Sequence, residues 1–243
     1  MRLPCPAPDT ALVAQSPDMT AISEHAALVA RFAAIPTAIV CDVYDERGWP
    51  PPALHAGLRP RTATRTPFAG FAATIAGRQE RFEGPDRAKL AFADALAEDS
   101  VAVWAGTDAG QYCLFGDLIA ATMQRRGCRG AVVDGGLRDV AAIDATGFPV
   151  FAACVSPVQG LGRWRVTETG VPVAIRAAYG APLMVHPGDL VLGDADGVVV
   201  VARDRVDEVL ARAEAIVAAE AEARERSGEG MTAQEMLDRY GHV

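Results

Sequence analysis

The 243-residue sequence contains a single lysine, Lys89, while arginine supplies the other 22 cationic side chains. Schiff-base catalysis requires a lysine amine inside a pocket. The stretch GPDRAKLAFADALAED around Lys89 has the pattern of an amphipathic surface helix, which predicts a solvent-exposed ammonium group. Covalent catalysis through a lysine is therefore not expected.

The sequence also lacks paired cysteines, a basic face and a long apolar run. Its five cysteines are scattered and form no CxxC motif, so neither a disulfide framework nor a zinc site is supported. The net charge of −8 disfavours nucleic acid and anionic membranes as partners. No apolar run reaches the roughly 18–20 residues that span a bilayer. We expect a cytoplasmic protein whose Pro-rich residues 1–20 form a flexible arm.

What the sequence does contain is an alternation of strand and helix patterns. Short apolar or alternating runs that end at glycine predict strands at 68–77, 100–106, 130–136 and 148–153. Amphipathic segments predict helices at 21–34, 86–97, 116–127 and 137–147. Such short spacings are typical of parallel βαβ units with right-handed crossovers. We predict an α/β fold.

The C-terminal part has a different pattern. Strands are predicted at 163–175 and 183–202, with turns at Pro187-Gly188 and Asp196-Gly197. GDADG at 193–197 lacks the glutamate of a calcium loop and is interpreted as a hairpin turn. A long helix of mixed charge follows, and a Thr232–Glu235 capping box begins a last short helix. Residues 21–243 are predicted to form one domain with helical ends.

Charged residues follow two consecutive predicted strands. The loop after 100–106 leads to a helix that begins at Asp117, and the strand at 130–136 leads to Arg138 and Asp139. Ligands of open α/β sheets bind beyond the carboxyl ends of the parallel strands. The 20 residues between Asp117 and Arg138 equal about one helix plus one strand, which returns the chain to the same edge. If the two strands are neighbours, these side chains line one rim.

Such a rim can support chemistry on a 2-oxo acid. Free amides at 117–119 can bind a carboxylate, Asp139 can hold a hard cation such as Mg²⁺, and Arg138 can stabilise negative charge on oxygen. The alternatives are structural: Asp117 can simply open a helix, Asp134-Gly135-Gly136 can be a tight turn, and Arg138-Asp139 can be a surface ion pair. The residues alone leave both interpretations open.

One further candidate lies in GLGRWRV at 160–166. As a strand, this stretch points Arg163 and Arg165 to the same side, where either can bind a distal substrate carboxylate or face solvent.

The stretch GDLIAATMQRRGCRGAVVDGGLRDV resembles the D-x20-R-D motif of divalent-metal (class II) pyruvate aldolases of the 4-hydroxy-4-methyl-2-oxoglutarate and 4-carboxy-4-hydroxy-2-oxoadipate type. These aldolases share their fold with the regulators of ribonuclease E activity A (RraA). The resemblance extends over about 37–202 through TAIVCDVYD, PFAGFAATIAG, FPVFAACVSP and HPGDLVLGDADGVVVV. It implies an RraA-like α/β/β/α sandwich with a central parallel or mixed sheet and helical terminal segments.

The resemblance also implies roles for individual residues. Asp139 would be the protein ligand of Mg²⁺ or Mn²⁺, Arg138 would stabilise the pyruvate enolate, and Asp117 would orient a water molecule on the metal that protonates it. Amides near Gly116, Leu118 and Ile119 would hold the pyruvate carboxylate. The family forms homotrimers or homohexamers with the site between subunits, and Glu220 is the candidate for an acid that the neighbouring subunit contributes.

The sequence therefore predicts a lyase that cleaves a 4-hydroxy-2-oxo acid to pyruvate and a carbonyl product, with oxaloacetate decarboxylation as a side activity. GLGRWRVTETG and RAAYGAPLMV depart from the aromatic-degradation aldolases, which leaves the distal half of the substrate open. Two alternatives remain: a non-catalytic regulator of ribonuclease activity on the same scaffold, and another enzyme, such as a hydratase, with the same metal-enolate pocket.

Overall fold

The computed structural model describes residues 19–63, 66–228, 232, 234–235 and 238. The predicted N-terminal arm lies outside the described residues except for its last two, which begin the first helix. The proposed domain boundary at residue 21 stays a prediction.

Six α-helices and eleven β-strands are described. The helices are α1 Met19–Ala33, α2 Thr37–Glu46, α3 Arg87–Ala95, α4 Asp117–Arg125, α5 Val140–Asp144 and α6 Val206–Gly228. The strands are β1 Arg59–Pro60, β2 Phe68–Gln79, β3 Ser100–Ala105, β4 Cys113–Phe115, β5 Gly130–Leu137, β6 Val150–Val155, β7 Trp164–Thr169, β8 Val173–Ile175, β9 Leu183–Val185, β10 Leu190–Gly193 and β11 Val198–Val201.

Nine strands form one mixed sheet in the order β1-β6-β5-β3-β2-β10-β11, with β4 beside β5 and β7 beside β2. The pairs β2–β3, β3–β5, β4–β5 and β5–β6 are parallel. The pairs of β10 with β2 and with β11 are antiparallel, as are β1–β6 and β2–β7. The predicted βαβ units are confirmed, because β3, β5 and β6 lie side by side with helices between them.

Buried apolar side chains hold the layers together in three clusters. One lies between the parallel strands and α3–α5 around Trp104 and Met123, and another packs α1, α2 and α6 against β10 and β11 around Phe32. The third joins the large sheet to the β8–β9 pair through Val103 and Ile175. Burial of such side chains is the main stabilising term in the fold. The expected α/β layers with a mixed central sheet are confirmed.

Aspartate side chains fix several of these boundaries. Asp194 accepts hydrogen bonds from the Thr37 amide at 2.7 Å and the Thr37 hydroxyl at 2.8 Å, which begins α2. The same carboxylate accepts the Asp196 amide at 2.9 Å in the turn between β10 and β11. GDADG is therefore a hairpin turn, as predicted. The predicted capping box is also confirmed, since Glu235 Oε2 accepts the Thr232 amide at 2.8 Å.

No single described helix is long and apolar enough to cross a membrane. The segments Glu24–Ala33 and Thr37–Glu46 satisfy length and composition only together, and they meet at a bend of 93°.

The prediction of a tight turn at Asp134-Gly135-Gly136 was wrong. These residues are fully buried inside β5, which continues to Leu137. The Asp134 carboxylate, with no side-chain exposure, pairs with the Arg176 guanidinium, whose Nε donates to it at 2.7 Å. It also accepts the Arg176 amide at 3.3 Å. Local turn propensity could not reveal a partner 42 residues away.

The Asp134–Arg176 pair predicts an asymmetric loss of stability. Asp134→Ala is expected to lower the free energy of unfolding by about 3 kcal/mol, the lower end for breaking a buried pair, because the side chain of Arg176 is 40% exposed. Arg176→Met should cost more, since it removes the cation beside a fully buried carboxylate. Urea-induced unfolding of both variants measures this difference. A smaller loss in Arg176→Met than in Asp134→Ala would contradict the assignment.

Candidate functional site

The adjacency of β3, β4 and β5 brings the two candidate loops together. Phe115 at the end of β4 pairs with Leu137 at the end of β5. Gly116 and Asp117 follow the first of these residues, and Arg138 and Asp139 follow the second. The sequence prediction that these residues share one rim is therefore confirmed in geometry.

The Asp139 carboxylate is at the centre of the rim. Its Oδ2 atom lies 3.4 Å from the Asp117 amide nitrogen and 3.1 Å from Arg138 Nε. The side chains of Arg138 and Asp139 are 40% and 38% exposed, so a ligand can reach both. An ion pair this exposed contributes little to stability. Its charges are instead available for binding.

Asp139 has the left-handed backbone conformation, with φ 58° and ψ 33°. A residue with a side chain adopts this region at a cost, and such residues cluster at binding and active sites. Asp139 precedes α5 without capping it through its side chain. Its carboxylate instead faces the Asp117 amide at the start of α4.

Gly116 provides the room for this contact. A Cβ atom at this position would lie 2.2 Å from Asp139 Oδ2 and 3.1 Å from Arg138 Nε. The backbone of Gly116 is extended, with φ −130° and ψ −160°, so the position needs glycine for space and not for its torsion angles. The loop before α4 and the Arg138-Asp139 pair are thus in direct contact.

Asp117 opens α4 and is half-buried. Its Oδ1 atom accepts a hydrogen bond from the Leu118 amide at 2.8 Å, and its own amide faces Asp139. Ile119 is the third residue of α4, in the first turn, where a backbone amide has no acceptor within the helix. Of the amides predicted to hold a substrate carboxylate, the Ile119 amide can bind it directly. The Leu118 amide can do so only after the Asp117 side chain releases it.

The side chains at the rim fit a hard divalent cation that keeps most of its waters. Among the described residues, no cluster of three or more histidine, cysteine, aspartate or glutamate side chains could hold a metal. Mg²⁺ is commonly held by one or two carboxylates, with waters and substrate oxygens completing its coordination. Asp139 satisfies this requirement, because hydrogen bonds at Oδ2 orient a carboxylate that remains accessible to ligands.

The other candidate residues have partners outside the rim. Glu220 in α6 forms an ion pair with Arg224 on the same helix, and any approach to a neighbouring subunit's rim stays a prediction. Arg165 pairs with Glu80 at 3.5 Å. Arg163 donates to the Gln159 carbonyl at 3.1 Å and forms no ion pair within the described part of the chain. Its guanidinium also lies 5.8 Å from the centre of the Tyr112 ring.

Two exposed apolar side chains lie next to residues of the rim. Leu118, directly after Asp117, is 78% exposed, and Val155, paired with Leu137 at the end of β6, is 53% exposed. The Arg138 and Asp139 side chains are 40% and 38% exposed, so the rim is open to solvent in the single chain.

The prediction of a solvent-exposed Lys89 was wrong. Its ammonium group donates to the Leu114 carbonyl at 2.7 Å and lies 6.0 Å from the centre of the Trp164 ring. Burial is the main cause that lowers its pKa from the ordinary value; Asp86 and Cys113 act in the opposite direction, and the charge of Arg138 adds a smaller lowering. The amphipathic pattern placed the helix correctly but could not show that this side chain points back toward β4.

The fold and the rim define an α/β protein with a carboxylate, a guanidinium and a helix N-terminus assembled at consecutive strand ends. The chain belongs to the RraA-like family, whose model, described as aldolase/RraA, matches residues 37–200.

Individual relatives agree with this assignment. The chain is 30% identical over 213 residues, 82% of its length, to a Halalkalibacterium halodurans protein named "Putative 4-hydroxy-4-methyl-2-oxoglutarate aldolase", of which the match covers 87%. It is 33% identical over 132 residues, 53% of its length, to an uncharacterised Methanocaldococcus jannaschii protein. The chain spans 60% of that relative, and 20% of the DlpA protein of Legionella pneumophila.

A solved structure matches the fold over most of the chain. Streptomyces coelicolor RraAS2, described as an unusual member of the RNase ES inhibitor RraA protein family, superimposes with a TM-score of 0.71 at 27% identity. The superposition covers 82% of this chain and 98% of that one. The family thus includes relatives named as aldolases and relatives named as ribonuclease inhibitors.

Proposed function

We propose that the protein is a divalent-metal-dependent carbon–carbon lyase that cleaves a 4-hydroxy-2-oxo acid to pyruvate and a carbonyl product. The observation that carries the proposal is the contact between Asp139 and both Arg138 and the Asp117 amide at 3.1 and 3.4 Å. The full-length relative from Halalkalibacterium halodurans, named as an aldolase, supports the same class.

Cleavage breaks the bond between C3 and C4, and its electron pair enters an enolate of pyruvate. The 4-hydroxyl group gives its proton to a water molecule at the site and becomes the carbonyl group of the second product. Mg²⁺ or Mn²⁺ held by Asp139 would polarise the 2-oxo group as a Lewis acid. The Arg138 guanidinium is placed to stabilise the negative charge on the enolate oxygen. This negative charge develops only as the bond breaks. Its stabilisation therefore lowers the energy of the transition state more than that of the bound substrate, which accelerates the reaction.

The α4 N-terminus holds the substrate carboxylate. Unpaired amides and the helix dipole favour an anion there, and the Ile119 amide is the first one available. When the carboxylate binds, it displaces Asp117 from the Leu118 amide. Asp117 then faces the reacting carbons, where it can orient the water that returns a proton to C3.

The same enolate forms when oxaloacetate loses CO₂, so oxaloacetate decarboxylation is the proposed side activity. Arg163 is the proposed contact for a distal carboxylate in longer substrates, because it is the arginine of the pair that is not bound to Glu80. This contact would bind the far end of the substrate and would take no part in bond cleavage.

We also propose that the chain self-associates as a homotrimer or homohexamer that closes the rim. Leu118 and Val155 are large apolar side chains left 78% and 53% exposed beside an open charged site. Exposed apolar patches with polar rims mark interaction surfaces. A second copy laid on this patch would exclude water from Asp139 and bring a carboxylate such as Glu220 toward it.

The test is pyruvate release from oxaloacetate and from 4-hydroxy-4-methyl-2-oxoglutarate by the purified protein. We expect turnover with Mg²⁺ or Mn²⁺, loss to the uncatalysed rate with EDTA, and recovery when excess metal is restored. Circular dichroism with and without EDTA controls for unfolding. Turnover that persists in EDTA would overturn the metal-dependent mechanism.

Absence of turnover on every 2-oxo acid would favour the alternative of a non-catalytic regulator, which the likeness to the RNase ES inhibitor family member supports. That alternative predicts inhibition of a ribonuclease by the protein without added metal.

A further inference from the structure

Lys89 connects α3 to the strand that leads into the rim. Its Nζ atom donates to the Leu114 carbonyl at 2.7 Å. Leu114 is the central residue of β4 and is 1% exposed. Two residues further along the chain, Gly116 begins the loop that contacts Asp139.

The Leu114 carbonyl lies outside the hydrogen-bonded ladder between β4 and β5. The register shifts between Cys113 and Phe115. Accordingly, the Gly136 amide donates to the Tyr112 carbonyl at 3.2 Å, but the Arg138 amide faces the Phe115 carbonyl, at 3.5 Å.

In an unbroken parallel ladder the acceptors are two residues apart, so the Arg138 amide would bind Leu114 and not Phe115. The extra residue is a β-bulge, a device that redirects the following side chains. The bulge displaces one buried carbonyl from the ladder, and a buried carbonyl without a donor is costly. Lys89 supplies that donor.

The bulge decides how the two loops meet. The extra residue lies in β4 and shifts the pairing with β5 by one position. Gly116 and Asp117 therefore lie beside Arg138 and Asp139. Without the shift, the Asp117 amide would be out of register with the Asp139 carboxylate. The hydrogen bond of Lys89 therefore stabilises the register on which the rim depends.

The surroundings of Lys89 agree with a fixed side chain. The ammonium group lies 6.0 Å from the Trp164 ring centre, and Asp86, Cys113 and Arg138 act on it electrostatically. Desolvation is the largest influence on its pKa, which falls below the ordinary value. A lysine side chain surrounded only by solvent would not be desolvated in this way.

We propose that Lys89 is a positioning residue: its ammonium group holds the Leu114 carbonyl outside the β4–β5 ladder and thereby sets Gly116 and Asp117 against Arg138 and Asp139. This role rests on the proposed function only where it speaks of catalysis, because the effect on backbone geometry is independent of any reaction. In this role Lys89 acts through the backbone of β4, by its hydrogen bond to the Leu114 carbonyl, and needs no contact with the substrate.

The test compares Lys89→Met, which keeps the side-chain length but removes the donor, with Lys89→Arg, which restores a cationic donor. Arg87→Met on the exposed face of the same helix is the matched control. Amide hydrogen exchange of the full-length protein is followed at Asp117 and Arg138. Exchange in Lys89→Met is expected to be about tenfold faster or more, with Lys89→Arg and Arg87→Met close to wild type.

Unchanged exchange in Lys89→Met, or an equal increase in Arg87→Met, would refute the positioning role. If Lys89→Met does not fold, Lys89→Gln is measured in its place against the same criterion, because its shorter side chain cannot reach Leu114.

Kinetics then separate this role from the proposed function. If the wild type releases pyruvate from oxaloacetate, kcat/KM of Lys89→Met should fall by about 10–100-fold, as expected for a misplaced site, and Lys89→Arg should recover most of it. If the wild type shows no turnover, the lyase proposal fails while the exchange experiment still decides the role of Lys89. Wild-type turnover with unchanged exchange in Lys89→Met refutes the role of Lys89 alone.

Discussion

Replacing Asp139 by asparagine is expected to lower kcat/KM for oxaloacetate decarboxylation by roughly 1000-fold, about 4 kcal/mol of transition-state stabilisation. Asparagine has nearly the same size and tolerates the left-handed conformation with φ 58°, so backbone strain should not change. What is lost is the negative charge that we propose holds the divalent cation. The variant should also lose the dependence of its residual rate on Mg²⁺ concentration.

The measurement is pyruvate release as a function of metal concentration, together with Mn²⁺ binding followed by electron paramagnetic resonance. Glu168→Gln, which removes an exposed carboxylate from β7, is the control and should keep wild-type kinetics. Full activity in Asp139→Asn would show that the cation, if present, is bound elsewhere.

Gly116→Ala is expected to lower kcat/KM by about 100-fold with little loss of stability, because misplacement of a reacting group by about 1 Å has this effect. The added methyl group would lie 2.2 Å from Asp139 Oδ2, so the carboxylate must move away from the Asp117 amide. The backbone at Gly116 is extended and suits alanine, which means that the folded chain pays no torsional penalty.

Gly197→Ala is a matched control, since a Cβ atom at that position meets no atom within 4 Å and its φ angle lies outside the left-handed region. Its activity and its thermal midpoint should stay close to wild type. Equal kcat/KM values for the two variants would contradict the proposed contact between the loop before α4 and the Arg138-Asp139 pair.

Much of the fold could be predicted from the sequence because the relevant signals are local. The apolar run before Asp134 and the glycines after α4 and α5 indicated buried parallel strands and helix ends. Gly127, with φ 83°, ends the α4 segment in the left-handed region that glycine favours. The spacing of one helix plus one strand then placed Asp117 and Arg138 at the same edge.

The strand β4 and its bulge could not be predicted in the same way. Three residues between two glycine-containing segments have no detectable periodicity, so the stretch before Asp117 was interpreted as a loop. Pairing with β5 gives it its conformation, and such pairing depends on residues more than 20 positions away. The contact between Gly116 and Asp139 is a consequence of that pairing.

The sequence by itself determined the alternation of helices and strands from residue 68 to residue 153, apart from β4, and the identity of the charged residues at two strand ends. Only the tertiary structure decided that Asp134 belongs to a buried pair with Arg176, and that Lys89 turns inward to Leu114. The physical reason is the sequence separation over which each signal acts. Hydrophobic periodicity and turn preferences depend on residues only a few positions apart. The partner of a buried charge or carbonyl is fixed by packing between distant segments, where leaving the group unpaired is costly.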